Sequence, residues 1–236
     1  MDAATGPEHK LIVAVDVDSL DAARKLIDEL KPLARWFKIG FELFTREGPA
    51  AAHLVKNAGA SLFLDLKFHD IPSTVAGACV AAAELDVWMI NVHALGGRAM
   101  MEAARAALSR RRAPPKLVAV TLLTSMGVTD MEEIGLAGGP QEAVLRLARM
   151  TQACGLDGVV CSAQETAALR RQLGGEFCLV TPGIRPAGAP QDDQERVATP
   201  RQAIAGGADY IVIGRPITRA SDPLAALRAI CSEIAG

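Results

Sequence analysis

The sequence predicts an α/β protein, a (β/α)8 TIM barrel in a single domain. Short apolar runs alternate eight times with longer Ala/Leu-rich stretches of helical periodicity. These runs are apolar along their whole length, as in parallel strands that are covered on both faces. A doubly wound sheet is the alternative, but no glycine-rich GxGxxG dinucleotide motif follows the first strand. The barrel is therefore the better prediction.

Each predicted strand is followed by a predicted helix. The strands, in chain order, are Leu11–Val17, Trp36–Phe41, Ser61–Lys67, Val87–His93, Lys116–Leu123, Gly158–Ser162, Cys178–Thr181 and Tyr210–Gly214. The helices are Ser19–Leu30, Pro49–Ala58, Ser73–Leu85, Arg98–Ser109, Gln141–Cys154, Ala163–Leu173, Pro200–Ala205 and Asp222–Ile234. Asp18, Ser19 and Ser221 are of the residue types that cap helix N-termini.

The composition is that of an ordinary enzyme and implies no charged partner. The chain has 236 residues, a net charge of −2 and 50% hydrophobic residues. No Ser/Pro/Gly-rich linker divides it, so we expect one barrel over residues 11–236 after a flexible N-terminal segment, residues 1–10. The N-terminus lacks a basic end followed by an apolar core, and no apolar run reaches about 20 residues. We therefore expect a soluble, cytoplasmic protein that does not engage membranes.

Two further features predict structure rather than binding. The cysteines are widely spaced among apolar neighbours, without CxxC or Cys/His metal spacing, so we expect reduced core residues and no metal; they are Cys79, Cys154, Cys161, Cys178 and Cys231. The basic run Arg110–Arg112 precedes two prolines and has no interleaved aromatic residues. It predicts a solvated loop and not a nucleic-acid site.

Charged residues cluster at the end of the third predicted strand. Residues 63–72 read Phe-Leu-Asp-Leu-Lys-Phe-His-Asp-Ile-Pro. Side chains alternate across a strand, so Asp65 and Lys67 point to the same side, and Asp70 follows just beyond the strand end. Burying charges is costly unless they are paired and hydrogen-bonded. The pattern indicates a functional site, with an ion pair that pins the strand end as the structural alternative.

Polar residues also end the neighbouring strands. Asp16 lies near the end of the first strand, Lys38 within the second and His93 at the end of the fourth, while Thr124 and Ser125 follow the fifth. In a (β/α)8 barrel these strand ends form one mouth, where the chemistry takes place. Taken alone, His93 fits a hydrogen-bonded core histidine better than a catalytic one. The recurrence over five neighbouring strands predicts that the site lies at this mouth.

The seventh and eighth strands predict a phosphate site on the other side of the mouth. Strand 7 leads into Thr181–Pro186, which reads Thr-Pro-Gly-Ile-Arg-Pro, and a polar loop follows through Gln194. Strand 8 leads into Gly214, Arg215 and Pro216. Glycine lets backbone N–H groups approach an anion, arginine offers a fork of donors, and proline suits the start of a helical turn. Barrels often bind phosphate at this position.

These motifs together resemble the orotidine 5′-phosphate decarboxylase family. The resemblance runs from about Leu11 to the C-terminal helix, and it is carried by the charged segment 63–72, by Thr181–Pro186, by Gln194 and by residues 213–217. It implies conversion of orotidine 5′-monophosphate to uridine 5′-monophosphate in pyrimidine synthesis, with no cofactor. One departure is Ser73, where many relatives have asparagine, and this affects only the capping of the following helix.

The resemblance also implies a role for each matching residue. Asp16 and Lys38 would contact the ribose hydroxyls, and Lys38, Asp65, Lys67 and Asp70 would form an alternating charge network. Thr124 would lie beside the pyrimidine, and the phosphate would be held at Arg185, Gln194, Gly214 and Arg215. The implied assembly is a homodimer in which Asp70, Ile71 and Thr74 enter the partner subunit's site.

The expected chemistry explains why these residue types are needed. Loss of CO₂ from C6 of the pyrimidine ring leaves an electron pair in the ring plane, where it cannot delocalise into the π system. A protonated Lys67 would stabilise this carbanion and then protonate it. Asp65 and Asp70 would favour the ammonium form.

Two other functions are open at this point. One is a metal-dependent sugar-phosphate decarboxylase or aldolase on a related barrel, which shares the DxKxxD element but has a metal-binding carboxylate where this chain has Lys38. The other is a catalytically silent phosphate-binding barrel, which would be expected to lose at least one of the four network residues. All four are present.

Overall fold

The computed structural model describes residues 6–186 and 198–236, and it confirms the predicted fold. Eight parallel strands pair in sequence order and close into a barrel through β8 and β1. Their bounds are β1 Leu11–Ala14, β2 Trp36–Ile39, β3 Ser61–Phe68, β4 Met89–His93, β5 Lys116–Val120, β6 Gly158–Val160, β7 Cys178–Thr181 and β8 Tyr210–Ile213. Several strands end earlier than their apolar runs predicted. The polar residues of the mouth, such as Asp16 and Thr124, therefore lie just beyond the sheet.

Helices surround the barrel, with bounds α1 Leu20–Leu30, α2 Phe41–Glu47, α3 Pro49–Asn57, α4 Pro72–Glu84, α5 Gly97–Leu108, α6 Val128–Glu133, α7 Pro140–Ala153, α8 Ala163–Leu173, α9 Pro200–Ala205, α10 Arg215–Thr218 and α11 Pro223–Ala235. Each helix predicted from periodicity is present. The sequence prediction missed α2, α6 and α10, because each of them buries a single residue (Leu43, Met131 and Ile217) and so has no apolar stripe. Ser19 caps α1 as expected, whereas Asp222 rather than Ser221 caps α11.

The interior of the barrel is apolar and closed at one end. Side chains such as Ile12, Phe63 and Val180 fill the space between the strands and are at most 2% exposed. At the N-terminal ends of the strands Trp36 stacks on Trp88, with 4.2 Å between ring centroids, and Tyr210 packs edge-on against both. In the described residues the barrel is therefore open at the C-terminal ends of its strands, where the polar residues gather.

The described part of the N-terminal segment lies against the closed end. Pro7–Lys10 form a 3-10 helix, and the Trp36 indole donates a hydrogen bond to the backbone carbonyl of His9 at 3.3 Å. Among residues 6–186 and 198–236, no helix combines the length and the apolar composition needed to cross a bilayer.

Candidate active site

Four charged side chains from three adjacent strands meet at the open mouth of the barrel. Lys38 on β2 lies between two carboxylates, with its Nζ 3.1 Å from Asp16 Oδ1 and 3.4 Å from Asp65 Oδ2. On β3, Lys67 Nζ donates a hydrogen bond to Asp65 Oδ1 at 2.7 Å. The charges therefore alternate in sign along Asp16, Lys38, Asp65 and Lys67, which we call the charged series.

Pairing keeps the two central members of the charged series ionised despite their burial. Lys38 is 9% and Asp65 is 8% exposed. Burial alone would lower the pKa of Lys38, but the carboxylates of Asp65 and Asp16 outweigh it and raise this pKa above its ordinary value. Burial alone would raise the pKa of Asp65, but the ammonium groups of Lys38 and Lys67 outweigh it and lower this pKa. The ammonium and the carboxylate are the stable forms at neutral pH.

Strand β3 departs from regular pairing at the point that carries Lys67. Leu64 pairs with Ile90 of β4, but the next paired residues are Phe68 and Val92, so β3 contains a bulge of two extra residues. Within this bulge Lys67 has a φ of 43°, in the left-handed region, which costs a non-glycine residue about 1–2 kcal/mol. Such strain persists where surrounding contacts impose it, and it is concentrated at functional sites.

Asn91 on β4, which was not among the residues predicted from the sequence, contacts both Asp65 and Lys67. Its Nδ2 donates to Asp65 Oδ1 at 2.7 Å, and its Oδ1 accepts from the backbone N–H of Lys67 at 2.8 Å. A sequence signal did exist, because Asn91 is a lone amide within an apolar run, and a buried amide needs hydrogen-bond partners.

An apolar cavity of about 170 Å³ lies beside the charged series. Lys38, Asp65 and Lys67 form its charged wall, and Thr124 lines it from the loop after β5. The remaining lining is apolar: Phe63, Val120, Leu122, Leu123, Val160, Pro182 and Val212. Charges act more strongly beside such walls than in water, because the surroundings are less polarisable. The cavity can thus hold a flat apolar face of a ligand against a row of charges.

Comparison with known proteins decides the family. The family model for orotidine 5′-phosphate decarboxylase / HUMPS matches residues 9–230. The chain belongs to this family. The orotidine 5′-phosphate decarboxylase of Nitrosococcus oceani is 57% identical over 96% of this chain and 98% of its own length. That of Chromobacterium violaceum is 58% identical, with 95% of this chain and 91% of its own covered.

A solved structure supports the same assignment. The crystal structure of orotidine 5′-phosphate decarboxylase from Lactobacillus acidophilus matches this chain with a TM-score of 0.85 at 39% identity, over 97% of this chain and 100% of that one. The resemblance inferred from the sequence motifs is therefore confirmed, and so is the single-domain barrel of the decarboxylase family.

In this member of the decarboxylase family two arginines lie on the other side of the mouth, after β7 and β8. Arg185 is 8% exposed, and its Nη1 donates a hydrogen bond to the carbonyl of Ile184 at 2.9 Å. Arg215 begins the short helix α10. Gln194, the third predicted phosphate ligand, lies outside the described residues. The two arginines thus occupy the strand ends at which the sequence predicted an anion site.

Gly214 brings the end of β8 close to the charged series. A Cβ at this position would lie 3.2 Å from Asp16 Oδ2 and 3.3 Å from the Cβ of Ala14. A side chain here would push against Asp16 and Ala14, so glycine suits the close approach. The loop after β8 and the charged series meet at this residue.

Asp70, Ile71 and Thr74 lie apart from the charged series. Asp70 Oδ1 accepts a hydrogen bond from the Ile71 N–H at 2.6 Å, and within residues 6–186 and 198–236 the Asp70 carboxylate has no ion pair. Ile71 is 64% exposed, and Thr74 is exposed at the start of α4. Asp70 nevertheless lines the same open cavity of about 290 Å³ as Lys67. Within one chain the structure brings together two of the three charges expected to crowd one spot, Asp65 and Lys67.

His93 lies at the edge of the site, at the end of β4. Its ring stacks on that of His69 with 5.5 Å between centroids, and its Nδ1 is buried without a hydrogen-bond partner among the described residues. Burial lowers the pKa of His93 to about 4, and the nearby His69 and Lys67 add to this effect. His93 is therefore neutral at physiological pH.

Proposed function

We propose that the charged series catalyses the reaction for which the family is named, the decarboxylation of orotidine 5′-monophosphate to uridine 5′-monophosphate in pyrimidine biosynthesis. The family match and the relatives at 57% and 58% identity support this activity. The observation that carries it is the alternation of charge along Asp16, Lys38, Asp65 and Lys67, the last three of which line an apolar cavity. This arrangement places fixed positive charge beside a space that suits a pyrimidine ring.

In the proposed mechanism Lys67 stabilises the carbanion and then protonates it. When the bond between C6 and the carboxylate carbon breaks, CO₂ leaves and the electron pair stays on C6, in the plane of the ring. The Lys67 ammonium is already held in place by Asp65, so little reorganisation is needed as negative charge develops. The proton then moves from Lys67 Nζ to C6, and solvent returns a proton to the neutral amine.

The remaining residues bind the substrate. Asp16 and Lys38 are assigned to the ribose hydroxyls, since a carboxylate can accept and an ammonium can donate hydrogen bonds at this edge of the cavity. Thr124 is assigned to the pyrimidine. The phosphate is assigned to Arg185, Gly214 and Arg215, with Gln194 as a further ligand outside the described residues. Binding energy from the remote phosphate is then available to hold the ring against the charged series.

We assign a further part of the site to a second subunit. Asp70 and Lys67 line one open cavity, yet Asp70 has no ion pair within residues 6–186 and 198–236, and Ile71 is unusually exposed for its type. In the proposed homodimer Asp70, Ile71 and Thr74 of one subunit complete the site of the other. We place the dimer in the cytoplasm, because all five cysteines are free and buried, as is usual in reducing compartments.

Lys38 argues against the metal-dependent sugar-phosphate reaction. Its ammonium lies 3.4 Å from Asp65 Oδ2, in the setting where the related enzymes are expected to use a carboxylate for Mg²⁺. A cation at this point repels a metal ion. The silent-barrel alternative is also disfavoured, because Lys38, Asp65, Lys67 and Asp70 are all present and the first three are ion-paired.

One assay tests the proposed function. The purified chain is incubated with orotidine 5′-monophosphate in EDTA, and conversion to uridine 5′-monophosphate is followed by the change in ultraviolet absorbance. We expect full activity, because the charges that stabilise the carbanion belong to the protein itself. Loss of activity in EDTA with recovery in Mg²⁺ would refute the proposed mechanism, and no turnover under either condition would refute the proposed activity.

A further inference from the structure

Asn91 is a buried amide that joins β4 to the irregular end of β3. It lies on β4 opposite the bulge of β3, between the paired residues Ile90 and Val92, and it is 1% exposed. A bulge disrupts the regular hydrogen-bond ladder, so the backbone groups within it need other partners. Here the side chain of Asn91 supplies one of them, because its Oδ1 accepts from the backbone N–H of Lys67 at 2.8 Å.

Both ends of the Asn91 amide are committed, and they fix its orientation. The carbonyl oxygen faces an N–H donor, and the NH₂ group faces Asp65 Oδ1 at 2.7 Å. A flipped amide would present a donor to the Lys67 N–H and an acceptor to a carboxylate, which are two repulsive contacts. The side chain therefore binds the backbone of the bulge and the Asp65 carboxylate at the same time.

The two hydrogen bonds of Asn91 constrain both the backbone of Lys67 and its ammonium group. The first holds the backbone of Lys67 where its φ is 43°. The second acts on Asp65 Oδ1, the same oxygen that accepts the hydrogen bond from Lys67 Nζ at 2.7 Å. Lys38 is paired with the other oxygen of this carboxylate. Without Asn91 nothing among these contacts would hold the strained backbone of Lys67 while also aligning the oxygen that directs its ammonium group.

We propose that Asn91 is a positioning residue for Lys67, holding the strained strand end and the Asp65 carboxylate so that the ammonium points at C6 of the substrate. This rests on the proposed role of Lys67 in decarboxylation. Asn91 does not touch the substrate in this account, and it acts on the reaction only through Lys67 and Asp65. Its loss should therefore affect the stabilisation of negative charge at C6 and spare the binding of ribose and phosphate.

The test compares the binding of two ligands to two variants of Asn91. Asn91→Leu has a side chain of similar size without hydrogen-bonding groups. Asn91→Ala is included because a leucine against the buried carboxylate risks misfolding. The ligands are uridine 5′-monophosphate and 6-hydroxyuridine 5′-monophosphate, whose ionised oxygen on C6 places negative charge where the carbanion would form. Calorimetry gives both affinities. Thr151→Val is the matched control, because Thr151 is a fully buried polar residue whose hydroxyl bonds to Leu147 and Met101 in the helical layer.

We expect the Asn91 variants to bind the C6 anion about 10- to 100-fold more weakly and to lose kcat by a similar factor, as misplaced catalytic groups do. Affinity for uridine 5′-monophosphate and KM should change little, and Thr151→Val should alter neither ligand selectively. Equal losses for both ligands, or an unchanged ratio between them, would overturn the inference. If the wild-type chain itself fails to prefer the C6 anion or to decarboxylate the substrate, the failure lies in the proposed function instead.

Discussion

Lys38 and Asp65 illustrate how single residues keep their charge inside the barrel mouth. Each is almost fully buried, and each alone would pay a large desolvation cost. Lys38 faces the carboxylates of Asp65 and Asp16, and Asp65 faces the ammonium groups of Lys38 and Lys67. The charged forms of both residues are therefore favoured. The site is thus preorganised, since its charges are set before a substrate arrives.

His93 gives a prediction on pH dependence. Its pKa is about 4 in the folded protein and 6.5 ordinarily, so between these values the unfolded chain binds a proton that the folded chain does not. The free energy of unfolding should therefore rise with pH across this window, and this contribution is lost as pH falls from 6.5 towards 4. His93→Gln should flatten the profile measured by chemical denaturation.

The control for His93 is His53→Gln, which changes an exposed histidine on α3. Between pH 4 and 6.5, the free energy of unfolding of this variant should change with pH as steeply as that of the wild type. A His93→Gln protein with the wild-type slope would show that burial of the neutral imidazole does not contribute to acid sensitivity.

Arg215 gives a prediction on substrate selectivity. Arg215→Ala removes a guanidinium assigned to the substrate phosphate, and charge-assisted hydrogen bonds of this kind are among the strongest in proteins. We expect kcat/KM for orotidine 5′-monophosphate to fall by at least about 100-fold, and the slow reaction of unphosphorylated orotidine to stay nearly unchanged. Equal losses on both substrates, measured under the same conditions, would indicate damage to the barrel rather than a phosphate contact.

At the scale of elements, strands β7 and β8 are tied together at the closed end of the barrel. Asp209 precedes β8, and its Oδ2 accepts hydrogen bonds from the Leu179 N–H of β7 at 2.8 Å and from Arg170 Nη2 of α8 at 2.7 Å. Arg170 also donates to the carbonyls of Gly207 and Phe177. This junction lies opposite the mouth, so it supports the fold without touching the site.

Asp209→Ala should accordingly lower stability and spare catalysis. Leaving the partly buried donors of Leu179 and Arg170 unsatisfied should cost about 1–3 kcal/mol in the free energy of unfolding. Denaturant titration measures this loss, and kcat and KM on the folded protein should match the wild type. Asp28→Ala, which removes an exposed ion pair with Lys31, is the control and should cost less than about 1 kcal/mol. A loss of kcat without loss of stability in Asp209→Ala would contradict this separation of the two ends.

The regular elements were predictable from the sequence, and the irregular ones were not. Apolar runs such as residues 61–67 and amphipathic stretches such as Ser19–Leu30 carry enough periodic positions to define the strand and the helix. The bulge at Lys67 leaves no such trace, because it depends on how β3 meets β4. Asn91 stands out in the sequence as a lone amide within an apolar run, but its two partners lie on the neighbouring strand and could not be identified from the sequence. The helices α2, α6 and α10 bury one residue each, so they show no apolar period.

In the molecule as a whole, the barrel has one closed end and one open end. Trp36, Trp88 and Tyr210 fill the closed end, whereas the open end carries a cavity lined by Lys67 and by the exposed Asp70. Oligomers with two-fold symmetry use the same surface on both subunits, so each subunit can supply the same residue to the site of the other. A homodimer would complete both sites in this way.

Mixing two inactive variants tests whether the proposed site is shared between two subunits. Lys67→Ala removes the proposed cation and proton donor, and Asp70→Ala removes the carboxylate proposed to enter the partner subunit's site. In a mixed dimer one site carries both changes, and the other combines an intact Lys67 with an intact Asp70. Each variant alone should be folded and nearly inactive.

The measurement is the rate of orotidine 5′-monophosphate decarboxylation after equal amounts of the two variants have exchanged subunits. Random exchange makes about half of the dimers mixed, so the account predicts recovery of roughly a quarter of the wild-type sites under two-fold symmetry. If Asp70 served the site of its own chain, every site would keep one change and no activity would return. Absence of recovery despite demonstrated subunit exchange would contradict the shared site, and near-normal turnover of Lys67→Ala alone would contradict the role of Lys67.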